Sequence, residues 1–158
     1  MEQRINVFEK APNAMKALFG LSIYLSKSSI EQPLLNLIYF RISQVNGCAY
    51  CLDMHSKDLR AKGETEQRLY MLDAWREAPL YSDRERAALA WAEAVTSISG
   101  GQVPEAVYTA AKQQFSEQEI IDLTMATIAI NGYNRINIAF RKPAGDYQPG
   151  MHAAVHAN

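Results

Sequence analysis

The chain has 158 residues, 48% of them hydrophobic and 21% charged, with 16 basic and 17 acidic side chains and a net charge of −1. That length suits a single folding unit with a working core, and that composition excludes a disordered or fibrous chain. Neither sign of charge gathers into a block, so there is no electrostatic footprint for nucleic acid and no polyanion partner is expected.

Helical periodicity runs nearly throughout. Met15, Leu18, Phe19, Leu21 and Ile23 mark a first helix over 13–26. Pro33 opens a second, LLNLIYFRISQV, which is apolar almost all round and is therefore expected at the centre, with Asn46 and Gly47 as its stop. The next starts at or just before Cys48 and ends at Gly63; Glu66 to Ala78 follows, with Leu69, Leu72 and Trp75 on one stripe. Ser82 with Glu85, and Ser116 with Glu119, form capping boxes for RERAALAWAEAVT and for the long run from Ile120 to Arg141. Between them SISGGQVPE reads as a loop and EAVYTAAKQQ as a short helix. No run alternates strictly enough for a strand, and no repeat is visible. After Pro143 the tail AGDYQPGMHAAVHAN reads as an extended arm over 143–158, ordered only against a neighbour. The expected fold is all-α, a single-domain bundle of about six to seven helices over 1–158. More of these helices are apolar all round than a monomer of this size buries, so a homo-oligomer is expected.

No apolar run reaches the roughly 18 residues of a membrane span, and MEQRINVFEK lacks the order of a secretory leader. A cytoplasmic protein with no membrane partner is expected. In that reducing compartment a close cysteine pair is catalytic, redox-sensing or metal-binding more often than structural. The only two cysteines lie in NGCAYCLDMH, residues 46–55. On a helix Cys48, Cys51 and His55 fall within ~60° of one another. Residues three apart have α-carbons about 5 to 6 Å apart, inside the range of a disulfide. A helix N-terminus favours thiolate over thiol, and His55, one turn beyond Cys51, is placed to take the thiol proton. C-x2-C-x3-H also supplies three zinc ligands, but a structural site wants a fourth, and the other histidines, His152 and His156, lie in the tail.

The segment from Leu34 to Thr96, and INGYNRINIAF further on, resemble the alkylhydroperoxidase D-like branch of the carboxymuconolactone decarboxylase superfamily, the CxxC followed by His being the specific part. The resemblance implies an all-helical fold assembled as trimers or hexamers, with thiol peroxidase or disulfide reductase activity in antioxidant defence. It makes Cys51 the peroxidatic sulfur that becomes a sulfenic acid, Cys48 the resolving thiol, and His55 part of a proton relay. The substrate would be an organic hydroperoxide. There would be no bound cofactor beyond the Cys48–Cys51 pair; electrons would come from an external dithiol, a lipoyl group or a donor protein, since no G-x-G-x-x-G motif is present.

Two positions depart from the family pattern. Asn36 stands where a glutamate usually precedes the first cysteine by twelve residues, and Tyr50 where histidine is common. An amide accepts no proton at neutral pH, and a phenol is a poor base. Glu93, the one charged residue in AALAWAEAV, is the candidate replacement acid, its carboxyl expected to be raised by burial beside a thiol; its stripe with Arg86 and Ala90 would otherwise face solvent. Asn134 and Arg135 could line a pocket or cap a helix, and Trp75, Trp91 and Tyr133 read as core or interface aromatics. A non-enzymatic redox sensor or adaptor, and a decarboxylase of the superfamily's other kind, are the rival functions; the CxxC pair counts against the second.

Overall fold

The computed structural model describes residues 2–151, and among these it is all-helical, with eight α-helices and no strand. The His152 and His156 considered as metal ligands lie outside the described residues. A single turn, α1 (Val7–Lys10), comes first: Asn6 caps it by accepting from the Glu9 N–H, and Pro12 ends it by starting α2 (Pro12–Leu25). That turn is too short to show as a periodic pattern. Then come α3 (Gln32–Asn46), α4 (Ala49–Ala61), α5 (Glu66–Met71), α6 (Asp83–Thr96), α7 (Glu105–Gln114) and α8 (Glu117–Ala139). Both expected capping boxes are present, on α6 and α8.

The apolar girth of α3 has a direct cause: it is packed on both sides. Leu35, Ile38 and Ile42 meet α6 and α8 through Ala88, Trp91, Leu123, Ala126 and Ile130. Leu37 and Phe40 on the other side meet Leu59 of α4 and Leu69, Leu72 and Trp75 of the α5 region. Against α8, α2 approaches closely at Gly132, where a Cβ would stand 3.4 Å from Leu18. A third face of α8 stays bare, with Ile121, Ile128 and Ile138 all exposed.

The helix expected over 66–78 stops early. After α5 the chain tightens into a 3-10 turn, Leu72–Ala74, and Arg86 then donates to the carbonyls of Trp75, Arg76 and Ala78. A side chain satisfies groups that a longer helix would have paired, and Pro79 disfavours helical backbone before it. The tail needs no neighbour to be ordered, at least as far as Met151. Lys57 of α4 donates to the Gly145 and Tyr147 carbonyls, Asp53 accepts from the Gly145 N–H, and the buried Tyr147 hydroxyl donates to Asp58. Residues 143–151 therefore lie on the chain's own α4. No described helix is long and apolar enough to cross a membrane.

Candidate functional site

The site forms where α3 turns into α4. Gly47 takes a left-handed conformation, φ 68°, that an L side chain rarely adopts, and the Cys48 N–H reaches back to the Ser43 carbonyl. Cys48 is the N-cap of α4, in extended conformation, so the pair sits on the helix start as its spacing predicts. The two sulfurs are joined as a disulfide, with α-carbons 5.3 Å apart. Both cysteines are sealed in, at 1% exposure each.

A polar network inside the core fixes this corner. Asn46 donates to both Asn131 and Asn134 of α8, each at 2.9 Å, and Asn134 donates to Ser43 at 3.1 Å. Asn131 is held in turn by Thr96 and the Thr127 carbonyl. A buried network is stabilising only when its members are satisfied, and Asn134 and Ser43, both fully buried, are. One turn further along α8, Asn137 points its Nδ2 at Cys51 Sγ, 3.3 Å away. Among the described residues this donor distinguishes Cys51 from Cys48. Asn137 was not singled out in the sequence, yet a signal was there: Asn131, Asn134 and Asn137 recur at intervals of three in an otherwise apolar helix.

His55 lies buried on the Cys51 face of α4, its ring 5.7 Å from that of Tyr39. Its Nε2 has no hydrogen-bond partner among the described residues. Burial, with the positive Lys62 adding to it, pulls its pKa down to about 4, so the imidazole is neutral at physiological pH while the pair is oxidised. Burial likewise raises the Tyr39 phenol. Asn36 Nδ2 likewise has no partner among the described residues.

The structure corrects the expectation for Glu93. Its carboxylate receives Arg41 Nε at 2.6 Å, Trp75 Nε1 at 2.9 Å and Arg76 at 2.7 Å. Burial alone would raise its pKa, but these donors outweigh burial and hold it below the usual carboxylate value. A carboxylate so occupied is a poor proton carrier, and the stripe it shares with Arg86 packs against the 75–81 segment instead of facing water. Arg135 is an exposed partner of Asn131. Trp75 and Trp91 are buried and Tyr133 half-buried, as core aromatics. Among the described residues no group of three or more His, Cys, Asp or Glu side chains is arranged to hold a metal ion.

The sequence profile of the carboxymuconolactone decarboxylase family matches residues 9–94. The uncharacterized protein YdfG of Bacillus subtilis is 43% identical over 88% of this chain and 95% of its own length. The chain belongs to the carboxymuconolactone decarboxylase family. Within the family it falls in the alkylhydroperoxidase D-like branch. A protein of unknown function from Agrobacterium tumefaciens, named as a candidate AhpD antioxidant defence protein, superposes with a TM-score of 0.88 at 39% identity, covering 92% of this chain and all (100%) of that one. An uncharacterized peroxidase-related protein from Ralstonia eutropha JMP134, with an AhpD core, shares the fold at TM-score 0.77 and 21% identity, covering 89% of this chain and 75% of its own.

Proposed function

We propose that this family member is a cysteine-dependent peroxidase acting on organic hydroperoxides in antioxidant defence. The observation that carries the reading is the Cys48–Cys51 disulfide at the start of α4, with Asn137 Nδ2 on Cys51 and, among the described residues, not on Cys48. A donor aimed at one sulfur favours its thiolate, as does the helix N-terminus, so Cys51 is assigned the attack. Its sulfur donates an electron pair to the terminal peroxide oxygen. The S–O bond forms as O–O breaks, the alkoxide leaves and takes a proton as the alcohol, and Cys51 is left as a sulfenic acid. The Cys48 thiol then displaces water to form the disulfide. An external dithiol, such as a lipoyl group on a donor protein, reduces that disulfide and is itself oxidised to one.

The test is loss of both thiols from the reduced protein with one equivalent of an organic hydroperoxide, followed by intact mass. Loss of about two mass units, much faster than free cysteine reacts, supports the reading. Cys51→Ser abolishes peroxide consumption, whereas Cys48→Ser accumulates sulfenic acid on Cys51; the opposite pattern reverses the two roles. Thiol loss no faster than free cysteine sinks the peroxidase.

The rival sensor reading has one observation in its favour, the 143–151 arm resting on the helix that bears the pair. A sensor oxidises once and rearranges the arm, without sustained turnover on added dithiol. The exposed Ile121, Ile128 and Ile138 support a further proposal, association of copies into a trimer or hexamer. Sedimentation showing only monomer at micromolar concentration would remove it.

A further inference from the structure

We propose that the N-terminal segment, residues 2–10, is a lid over Cys51, latched to the end of α8 by Arg4 and to the cysteine turn through Lys142, and that reagents reach the pair when it lifts. The proposal concerns access to the sulfurs and holds whether the pair serves a peroxidase or a sensor.

Cys48 and Cys51 are each 1% exposed, so neither a peroxide nor a dithiol touches a sulfur without a movement. The helices around the pair are poor candidates for that movement. α3 is packed on both sides, and α8 carries Leu123, Ala126 and Ile130 of the same core, so displacing either opens a close-packed interior. Cys51 meets α8 at Asn137, whose Nδ2 lies 3.3 Å from Sγ. Asn137 also lines a small open space between α8 and the N-terminal segment. Gln3, Ile5 and Phe8 on one side and Asn137, Phe140 and Lys142 on the other leave about 10 Å³, room for about one water. Asn137 thus has the sulfur at its amide and the covered space beside it, and lifting the segment uncovers that side chain.

The segment is built to come away at low cost. None of residues 2–10 is buried, and α1 is a single turn, which has little stability of its own. Its attachments are few. Arg4 donates its N–H to the Phe140 carbonyl at 3.0 Å and its Nη1 to the Ala139 carbonyl at 3.1 Å, groups that the end of a helix leaves unpaired. The Phe8 ring rests against Phe19 at 5.9 Å and under the Lys142 ammonium at 4.3 Å. The same ammonium lies 4.1 Å from the Tyr50 centroid and so joins the segment to the residue beside Cys51. Lys142 is placed there by the turn that closes α8: Arg141 takes a left-handed conformation, φ 55°, and the Lys142 N–H donates to the Asn137 carbonyl. Among the described residues Lys142 makes no ion pair, so its contacts with the two rings are what fasten the segment on this side. Elements held in this way open locally while the core stays folded. The 143–151 arm is the rival cover, but it lies along Asp53, Lys57 and Asp58 of α4 and is held by more bonds, with Tyr147 buried.

The experiment follows reduction of the disulfide in the full oxidised chain by dithiothreitol, with the freed thiols trapped by iodoacetamide and read by intact mass. Phe8→Ala removes the ring beneath Lys142 and should speed reduction about tenfold, which corresponds to about 1.4 kcal/mol. Lys142→Met keeps the apolar stem but loses the ammonium and should speed it about threefold. Lys57→Met, which loosens the arm instead, should leave the rate alone. Hydrogen exchange at the Arg4 N–H reads the lifting itself and should accelerate by the same factor as reduction in each variant, while the amides of α3 stay as protected as in the wild type. General destabilisation would move both sets of amides. Faster Arg4 exchange without faster reduction overturns the proposal, because the segment then lifts away from a path that reagents do not use. A rate raised in Lys57→Met and unchanged in Phe8→Ala and Lys142→Met also overturns it and makes the arm the cover. If Phe8→Ala loses protection in α3, Lys142→Met decides between these outcomes.

Discussion

Acid should destabilise this protein through one histidine. His55 is buried and neutral, with its pKa lowered from 6.5 to about 4. Because the folded value is the lower, the unfolded chain binds more protons between those two values, so stability falls as pH falls across that window and is fully present above it. The whole shift corresponds to about 3 kcal/mol at 1.36 kcal/mol per unit. Between pH 7 and pH 5 the loss is about 2 kcal/mol, since about 1.5 units of the window are then crossed. Carboxylates with depressed pKa values, Glu93, Asp53, Glu31 and Glu119, add losses of the same sign at lower pH. The comparison that isolates His55 is therefore between wild type and His55→Leu, each in the disulfide form, by urea unfolding at several pH values. At pH 7 the variant loses the imidazole packing against Tyr39 but also removes an orphaned Nε2, so the two should be close. On acidification the wild type should fall behind by about 2 kcal/mol at pH 5. A stability difference independent of pH, or an NMR titration of His55 near 6.5, would refute the argument that burial keeps the ring neutral.

Glu93→Gln removes the charge that compensates the buried Arg41 and should cost about 2–3 kcal/mol in urea unfolding, below the usual figure for a buried pair because Asp73 still engages Arg41 and Arg76 is exposed. The folded variant should keep its thiol reactivity; full stability with loss of reactivity would restore Glu93 to the relay. Asn137→Leu deletes the donor on Cys51 and should slow thiol loss about tenfold and raise the pH at which the thiolate appears, read from its ultraviolet absorbance. An unchanged profile would mean that the helix start alone sets that pKa. Asn36→Leu should leave stability within about 1 kcal/mol, because the amide Nδ2 it removes has no partner to lose. A loss of several kcal/mol would reveal a partner for the amide in solution.

What could be read from the chain and what could not divide along the range of the interactions. The central place of α3 was legible because an all-round apolar helix has to be packed on both sides, and it is, by α6 and α8 on one side and α4 and the α5 region on the other. The disulfide-capable pair on a helix start followed from local spacing, and the capping boxes from residues three apart. Glu93 was misread because its partners are remote in sequence: Arg41 lies 52 residues away, and no one-dimensional pattern separates a carboxylate beside a thiol from one beside a guanidinium. The placing of residues 143–151 was missed for the same reason, since their anchors are Lys57, Asp53 and Asp58 of α4. Asn137 reaches the site from the far end of the chain, brought there by the packing of α8 on α4.

Under the proposed peroxidase reading, the placing of charge around the pair would let His55 take the proton that leaves Cys51. With the disulfide closed, burial and the positive Lys62 leave the His55 ring neutral. Reduction and ionisation of Cys51 put a negative charge one turn from that ring on the same face of α4, and an opposite charge at that spacing favours the imidazolium. In that reading the thiolate and the imidazolium would stabilise each other, in surroundings dry enough for the pair to be strongly coupled, and oxidation to the disulfide would dismiss both charges together. The Asn137 amide and the first N–H groups of α4 add partial positive charge on the sulfur side without any titrating group. On this account the low pKa of His55 belongs to the oxidised state, and it does not prevent the same imidazole from serving as the base once Cys51 is reduced.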